Sequence, residues 1–271
     1  MHYGFVIPGA SPREFAELGH EAEEAGWDGI FVPDGVPGTD PWVVLAAIAM
    51  RTERIRIGTM LTPVSRRRPW KLASETATLD HLSNGRVILP VGLGAIEAGF
   101  TQFGEQTDRK VRAELLDEGL EIITGIWSQK EFHYEGKHYH AHTTRPIWNA
   151  LSLQQPRIPI WVTGAWPPHM KSMRRALRYD GLLPNSMDGR ETTPDTIRAI
   201  KQFVVEQRSA STPYDIVMEG ETPGNDISRA RAIVQPFAEA GATWWLESMW
   251  WENVTVDMIR QRICQGPPRV D

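Results

Sequence analysis

Eight short apolar runs alternate with segments of helical spacing along this chain of 271 residues, and no single motif constrains the fold as much. The runs fall at about 3–7, 29–32, 55–61, 86–91, 158–163, 181–183, 214–219 and 243–246. Gly29-Ile30-Phe31-Val32 is apolar at consecutive positions, which is how a strand buried on both faces reads. Parallel neighbours need a crossover, and a helix between each pair supplies it. Eight such units in about 250 residues predict a (β/α)8 barrel. An open doubly wound sheet is the alternative. No G-x-G-x-x-G follows the first run, and Gly92-Leu93-Gly94 is too short to be that dinucleotide fingerprint. A barrel of this size takes in the whole chain, so residues 1–271 are expected to form one domain.

The helix signals agree with this frame. Ser11, Pro12 and Glu14 form a capping box with proline in the first turn, and Asp40-Pro41 repeats the cap-plus-proline start. Segment 128–157 departs from it. There "EFHYEGKHYHAH" alternates residue types around Glu135-Gly136, the pattern of an antiparallel hairpin standing beside the barrel.

Composition narrows the function classes. A net charge of -5 argues against nucleic acid as the main partner. No apolar stretch approaches the ~20 residues of a membrane span. The chain passes from Met1 straight into a strand-like run, so no signal peptide is expected. One cysteine, Cys264, suits a reducing, cytoplasmic setting. Eleven tryptophans are unusual, and several fall in expected loops where they can offer stacking surfaces.

A barrel of this type builds its site at the carboxyl ends of its strands. Those ends carry Pro8, Asp34, Thr59-Met60-Leu61, Gly92 and Gly94, Gly164-Ala165-Trp166, Pro184-Asn185, Glu219 and Glu247, with no histidine, cysteine or lysine. Gly164-Ala165 ahead of a helix offers free N–H groups to a phosphate, or simply turns the chain. Arg66-Arg67-Arg68 is a solvated run or an anion contact. Asp80 reads as a cap or an ion pair with Arg86. His138, His140 and His142 alternate along one strand, but a fourth metal ligand is missing, so they read as surface residues. Trp244 and Trp245 are expected to pack, while Trp250 and Trp251 can wall a substrate pocket.

Residues 40–94, beginning "DPWVVLAAIAM" and ending "PVGLG", resemble the most diagnostic segment of the bacterial luciferase-like monooxygenases. "LLDEGLEIITGIWSQKEFHYEGKHY" (115–139), "PIWVTGAWP" (159–167), "YDGLLP" (179–184) and "GETPGNDISRARAIVQPFAEAGATWW" (220–245) match further blocks of that family in order. The resemblance implies a (β/α)8 barrel holding FMN or the deazaflavin F420 over its strand ends. It implies cofactor contacts from Pro8, Thr59, Met60, Leu61, Gly92, Gly94, Glu97, Gly164, Ala165 and Trp166, with a cis peptide at Met60-Leu61. Relatives are often dimers, so a homodimer is possible.

One position departs from the family pattern. An aspartate-histidine pair commonly ends the second strand there, and the histidine moves a proton. Here the pair is Asp34-Gly35. Asp34 is the nearest acid–base candidate, or it only accepts backbone N–H bonds from the 35–39 loop. The expected function is an FMN- or F420-dependent oxidoreductase or monooxygenase acting on a small, largely apolar molecule. The alternative is a non-catalytic cofactor carrier. A metal-dependent hydrolase on the same barrel needs histidines at the strand ends, and they are absent.

Overall fold

A parallel sheet with a helix after every strand has a single way to leave no edge, and this chain takes it. The computed structural model describes residues 1–35, 38–128, 130–143, 152–186 and 189–270. Its first half runs β1 (His2–Val6), α1 (Pro12–Glu24), β2 (Gly29–Val32), α2 (Pro41–Ala49), β3 (Arg56–Thr59), α3 (Pro69–Leu82), β4 (Val87–Gly92) and α4 (Arg109–Trp127). The second half is β5 (Ile160–Trp166), α5 (Met170–Leu177), β6 (Gly181–Ser186), α6 (Pro194–Gln207), β7 (Asp215–Gly220), α7 (Ile227–Ala240), β8 (Trp244–Ser248) and α8 (Val256–Cys264). Each strand pairs in parallel with its sequence neighbours, and β1 pairs with β8 in register His2↔Trp244, so the ring closes. The (β/α)8 barrel expected from alternation is the fold.

Two apolar layers hold it. The larger lies between helices and sheet and includes Phe15, Leu45, Leu72, Leu120 and Ile259. The smaller fills the barrel with Val6, Phe31, Ile88, Trp161, Leu183, Val217, Trp244 and Leu246, against which Met60 and Leu61 pack. The interior is a core, not a channel. Trp244 is buried there and Trp245 in the larger layer, as expected of packing residues.

Local signals act as the sequence suggests. Ser11 caps α1 and Glu14 closes the box, while the Asp40 carboxylate accepts from Trp42 and Val43 N–H groups at the start of α2. Two details differ, the extent of the third run and the partners of Asp80, while the expected cis peptide is present. The third run stops at Thr59; the Met60–Leu61 peptide is cis, and Thr62–Pro63 resumes pairing with β4. Asp80 does not pair with Arg86. It accepts from Leu153 N, Gln154 N and Gln154 Nε2, while Arg86 donates to the carbonyls of Ala49, Thr52, Ile55 and Ser83. Both groups serve backbone of helix ends and loops that lies outside the strand ladders.

The hairpin pairs Phe132–Glu135 with His140–Thr143, antiparallel, as expected. Residues 144–151 of the 128–157 excursion lie outside the described residues. Glu118 of α4 anchors the hairpin turn, accepting N–H bonds from Lys137, His138 and Tyr139 at 2.9, 2.9 and 3.0 Å. Gly136 fits because a Cβ there would lie 2.4 Å from the Glu118 Oε2 atom. His138 contacts Glu114, His140 contacts Glu135, and His142 contacts His133.

A second carboxylate works like Glu118. Glu23 in α1 accepts N–H bonds from Glu53, Arg54 and Ile55 at the entry to β3. Burial pushes its carboxyl up, but the three backbone donors outweigh that and hold it below the usual range. A depressed folded-state value gives stabilisation that is present at neutral pH and fades as pH falls through it. Glu23→Gln is therefore expected to lower unfolding stability by about 1–3 kcal/mol at pH 7. Denaturant melts should show the gap from the parent narrowing below about pH 4; a gap that holds constant to lower pH rejects this account.

Candidate active site

The carboxyl ends of seven strands, β2 to β8, open on one cleft of about 1120 Å³. β2 contributes Pro33, Asp34 and Gly35; Met60 and Leu61 follow β3; Gly92, Leu93 and Gly94 follow from β4. β5 gives Thr163 and Ala165, β6 gives Leu183 to Asn185, and β7 gives Val217 to Gly220. Trp245 and Trp250 close the ring from β8.

Seven of the expected site residues therefore meet in this cleft: Asp34, Met60, Leu61, Gly92, Gly94, Ala165 and Trp250. The other six stand outside its lining. Pro8 follows β1 at its half-buried end. Thr59 is fully buried below the rim, where its hydroxyl meets Thr62 Oγ1 at 2.8 Å. Glu97 is exposed on a short 3-10 turn. Trp166 packs edge-on against Phe203 of α6. Trp251 donates to Glu221 from the surface.

Gly164 needs a correction. Successive strand residues face opposite ways, so if Thr163 and Ala165 face the cleft Gly164 faces out. A Cβ there would sit 2.2 Å from Leu182 Cδ1 and 2.8 Å from Met173 Sδ, so the glycine lets α5 pack on the barrel. Nor is the Ala165 N–H free, since it donates to Ser172 Oγ at 3.1 Å.

Asp34 also has a different setting from either expectation. Its carboxylate receives Arg67 Nε at 3.0 Å and Nη2 at 2.9 Å, a bidentate fork. Arg66 Nη1 donates to the Asp34 carbonyl at 3.0 Å and lies 3.8 Å from its carboxylate. The Asp34 side chain is 1% exposed. Two cations from the arginine run thus face the one acid of the β2 end. Neither loop N–H acceptance nor an uncommitted acid–base group describes it. Residues 36 and 37 of the 35–39 loop lie outside the described residues.

Arginines on the helices are the functional candidates that pattern reading missed. Arg109 and Arg112 in the first turn of α4, and Ser172 and Arg175 on α5, line the cleft. Arg112 Nη1 donates to Leu93 O and Gly94 O at 2.9 and 3.0 Å, fixing the β4 loop. Among the described residues its Nε is buried without a partner, and so is that of Arg66. Both guanidinium groups lie against the Phe100 ring, at 5.3 Å for Arg112 and 5.6 Å for Arg66. Burial draws both below the usual arginine range, and Arg109 adds repulsion at Arg112. Arg175 is forked on Asp117 of α4 at 2.6 and 2.7 Å. A signal for this existed: Arg109, Lys110 and Arg112 crowd a helix N-terminus, where the backbone dipole disfavours cations.

At the β8 end, Glu247 is fully buried. It accepts from Thr222 N, Thr222 Oγ1 and Trp245 Nε1, with Arg262 at 3.2 Å. Burial raises its carboxyl despite Arg262. Its partners tie the β7 loop to β8, which makes it a positioning group.

The model of a family described as luciferase-like monooxygenase matches residues 2–248. An F420-dependent glucose-6-phosphate dehydrogenase of Amycolatopsis mediterranei (strain U-32) is 29% identical over 233 residues, covering 77% of this chain and 68% of that protein. The chain spans as little as 48% of the length of other curated relatives it matches. Among solved structures, the coenzyme F420-dependent tetrahydromethanopterin reductase of Methanopyrus kandleri has a TM-score of 0.77 at 18% identity, covering 98% of each chain. The oxygenating constituent of 3,6-diketocamphane monooxygenase from Pseudomonas putida, in complex with FMN, has a TM-score of 0.65 at 19% identity, covering 88% of this chain and 73% of that one. At these identities the structures show likeness of fold.

The pairing at the β2 end can be tested directly. Removing one member of a buried pair leaves the other uncompensated, so Arg67→Ala is expected to cost about 3 kcal/mol of stability. Asp34→Ala combined with Arg67→Ala should cost less than the two single changes summed. Strict additivity in thermal or denaturant unfolding rules the pair out as a structural unit.

Proposed function

Since the chain belongs to the luciferase-like monooxygenase family, we propose that the cleft seats a reduced FMN or F420 and that the protein is a flavin- or deazaflavin-dependent oxidoreductase. Arg112 carries this reading. Arg112 is 4% exposed as a residue and lines the cleft, and its Nε–H is unpartnered among the described residues, which suits an anionic tail such as a phosphate. At about 1120 Å³ the cleft exceeds the ~300–1,000 Å³ of sites for drug-sized ligands, which leaves room for a cofactor and a substrate together. When bound, the cofactor supplies the hydride or oxygen chemistry.

The residues of this chain bind, orient and exclude water. Arg109, Arg112 and Ser172 would hold the anionic end, with Arg175 behind them. The Met60–Leu61 turn packs on the barrel core and offers its upper surface to a flat ring system. Gly92 keeps that floor low, because a Cβ there would lie 2.6 Å from Thr163 Oγ1 and 3.0 Å from Leu61 Cδ1. The β6–β8 half has the apolar Leu183, Met218, Ile233 and Phe237, which favours a small, largely apolar substrate body.

A second reading, a cofactor carrier without turnover, is favoured by one observation. No histidine lines the cleft among the described residues, and Asp34 is committed to Arg67. A Cβ built at Gly35 meets nothing within 4 Å, so the family's imidazole can be restored there. General acid–base help is worth about 10²–10⁴-fold. If turnover is limited by that missing group, Gly35→His should raise it by a factor in this range. A parent that oxidises no reduced FMN or F420 with any acceptor supports the carrier.

The test of the main reading is a titration of the protein with FMN and with F420, followed by absorbance and calorimetry. One of them should bind saturably, and Arg109→Ala or Arg112→Ala should weaken it at least tenfold, ~1.4 kcal/mol. Saturation by neither cofactor overturns the reading.

A further inference from the structure

The register of the hairpin regroups its histidines. His133 stands opposite His142 and Glu135 opposite His140, and alternation along each strand puts all four side chains on one face. That face is open to water, with His133, Glu135 and His140 side chains 59%, 58% and 67% exposed. His138, grouped with His140 and His142 by spacing, turns instead to Glu114 of α4 at 2.9 Å. The neighbouring strand supplies His133 in its place. Its Nδ1 lies 3.0 Å from Nδ1 of His142, and the two rings stand edge to face at 74°. A proton shared between them gains little on an exposed surface, where water serves both nitrogens as well. A metal ion held between them gains two dative bonds.

The separation of the two nitrogens decides which ion. With metal–nitrogen bonds of about 2.05 Å, atoms 3.0 Å apart subtend about 94° at the metal. That is the cis angle of a square-planar or tetragonal centre, well short of the ~109° of a tetrahedron. Imidazole suits copper, nickel and zinc, whereas magnesium and calcium take oxygen ligands. The angle favours copper(II) and nickel(II) over zinc(II), and the general order of divalent affinities puts copper first. Glu135 Oε1 lies 3.6 Å from Nε2 of His133, on the other side of that ring. There it favours the tautomer with its proton on Nε2, which frees Nδ1 to ligate, and it adds a negative charge near the cation. We propose that His133 and His142 form a cross-strand copper(II) site, with Glu135 orienting His133. Among the described residues no third histidine, cysteine or carboxylate joins the pair as a ligand, so water takes the remaining positions. None of these residues lines the cleft, and the site is independent of the cofactor reading. A bound ion would clip the strands near their open end, opposite the turn that Glu118 holds.

Protein free of affinity tags is titrated with copper(II), nickel(II) and zinc(II) by calorimetry, and the copper complex is read by electron paramagnetic resonance. Copper is expected to bind at least tenfold more tightly than zinc, and its spectrum should show coupling to two imidazole nitrogens. His133→Gln and His142→Gln should each weaken copper at least tenfold, and together they should cost little more than either alone, because one imidazole cannot chelate. Glu135→Gln should weaken copper about tenfold, as loss of an orienting carboxylate does. His138→Gln, whose ring faces α4, should stay within about twofold of the parent. Copper that binds the His133→Gln/His142→Gln double variant as tightly as the parent overturns the proposal, since the ligands then lie elsewhere on the chain. Zinc binding as tightly as copper also overturns it, as does a spectrum without nitrogen coupling. Metal preference and spectrum are read on the parent, so they decide the matter even where a substitution unfolds the hairpin.

Discussion

Everything in this molecule follows from the ladder between β1 and β8. It joins residues 2–6 to 244–248, the two ends of the barrel's sequence, and turns an open sheet into a ring. A closed ring has no edge to protect and one interior to fill. Phe31, Trp161 and Trp244 fill it, with ring centroids about 5 to 6 Å apart. Closure also brings the strand ends to one rim. Residues as far apart in sequence as Asp34 and Trp250 share a cleft only because the first and last strands are neighbours.

On that rim, charge does the organising. The β2 end buries a carboxylate and answers it with a bidentate arginine, while the β8 end buries Glu247 and answers it with Arg262. Each pair holds a loop that the strands cannot hold by backbone bonding. The charged groups that line the cleft are segregated, Arg109, Arg112 and Arg175 on one side and Glu191, Glu219 and Glu221 on the other. Separation of this kind survives only where a ligand or solvent lies between the two sides, since apposed groups would otherwise neutralise each other.

The architecture was legible because it is periodic. Runs such as Gly29–Val32 and caps such as Ser11-x-x-Glu14 carry their own local physics, and the structure places them as the pattern does. The cis peptide at Met60–Leu61 was legible only through resemblance, since nothing in the residue types demands it. The site was half legible. Positions at strand ends could be named, but which face each presents depends on register, and Gly164 fell on the wrong parity. Residue type leaves Asp80 open between a cap and an ion pair with Arg86, although each has backbone partners that no spacing rule shows. Arg109, Arg112 and Arg175 sit on helices, and a search confined to strand ends passes over them.

The anchoring of the hairpin has a consequence for how this protein can vary. Glu118 reads main-chain N–H groups, and these are the same for every residue except proline. Positions 137 and 138 can thus drift in charge, size and polarity while the hairpin stays docked on α4. What the contact does inspect is the absence of a side chain at Gly136, where a single methyl would collide with the anchoring carboxylate. Among relatives sharing this device, the turn should look variable in every residue but one, and the glutamate and glycine should be lost together or not at all.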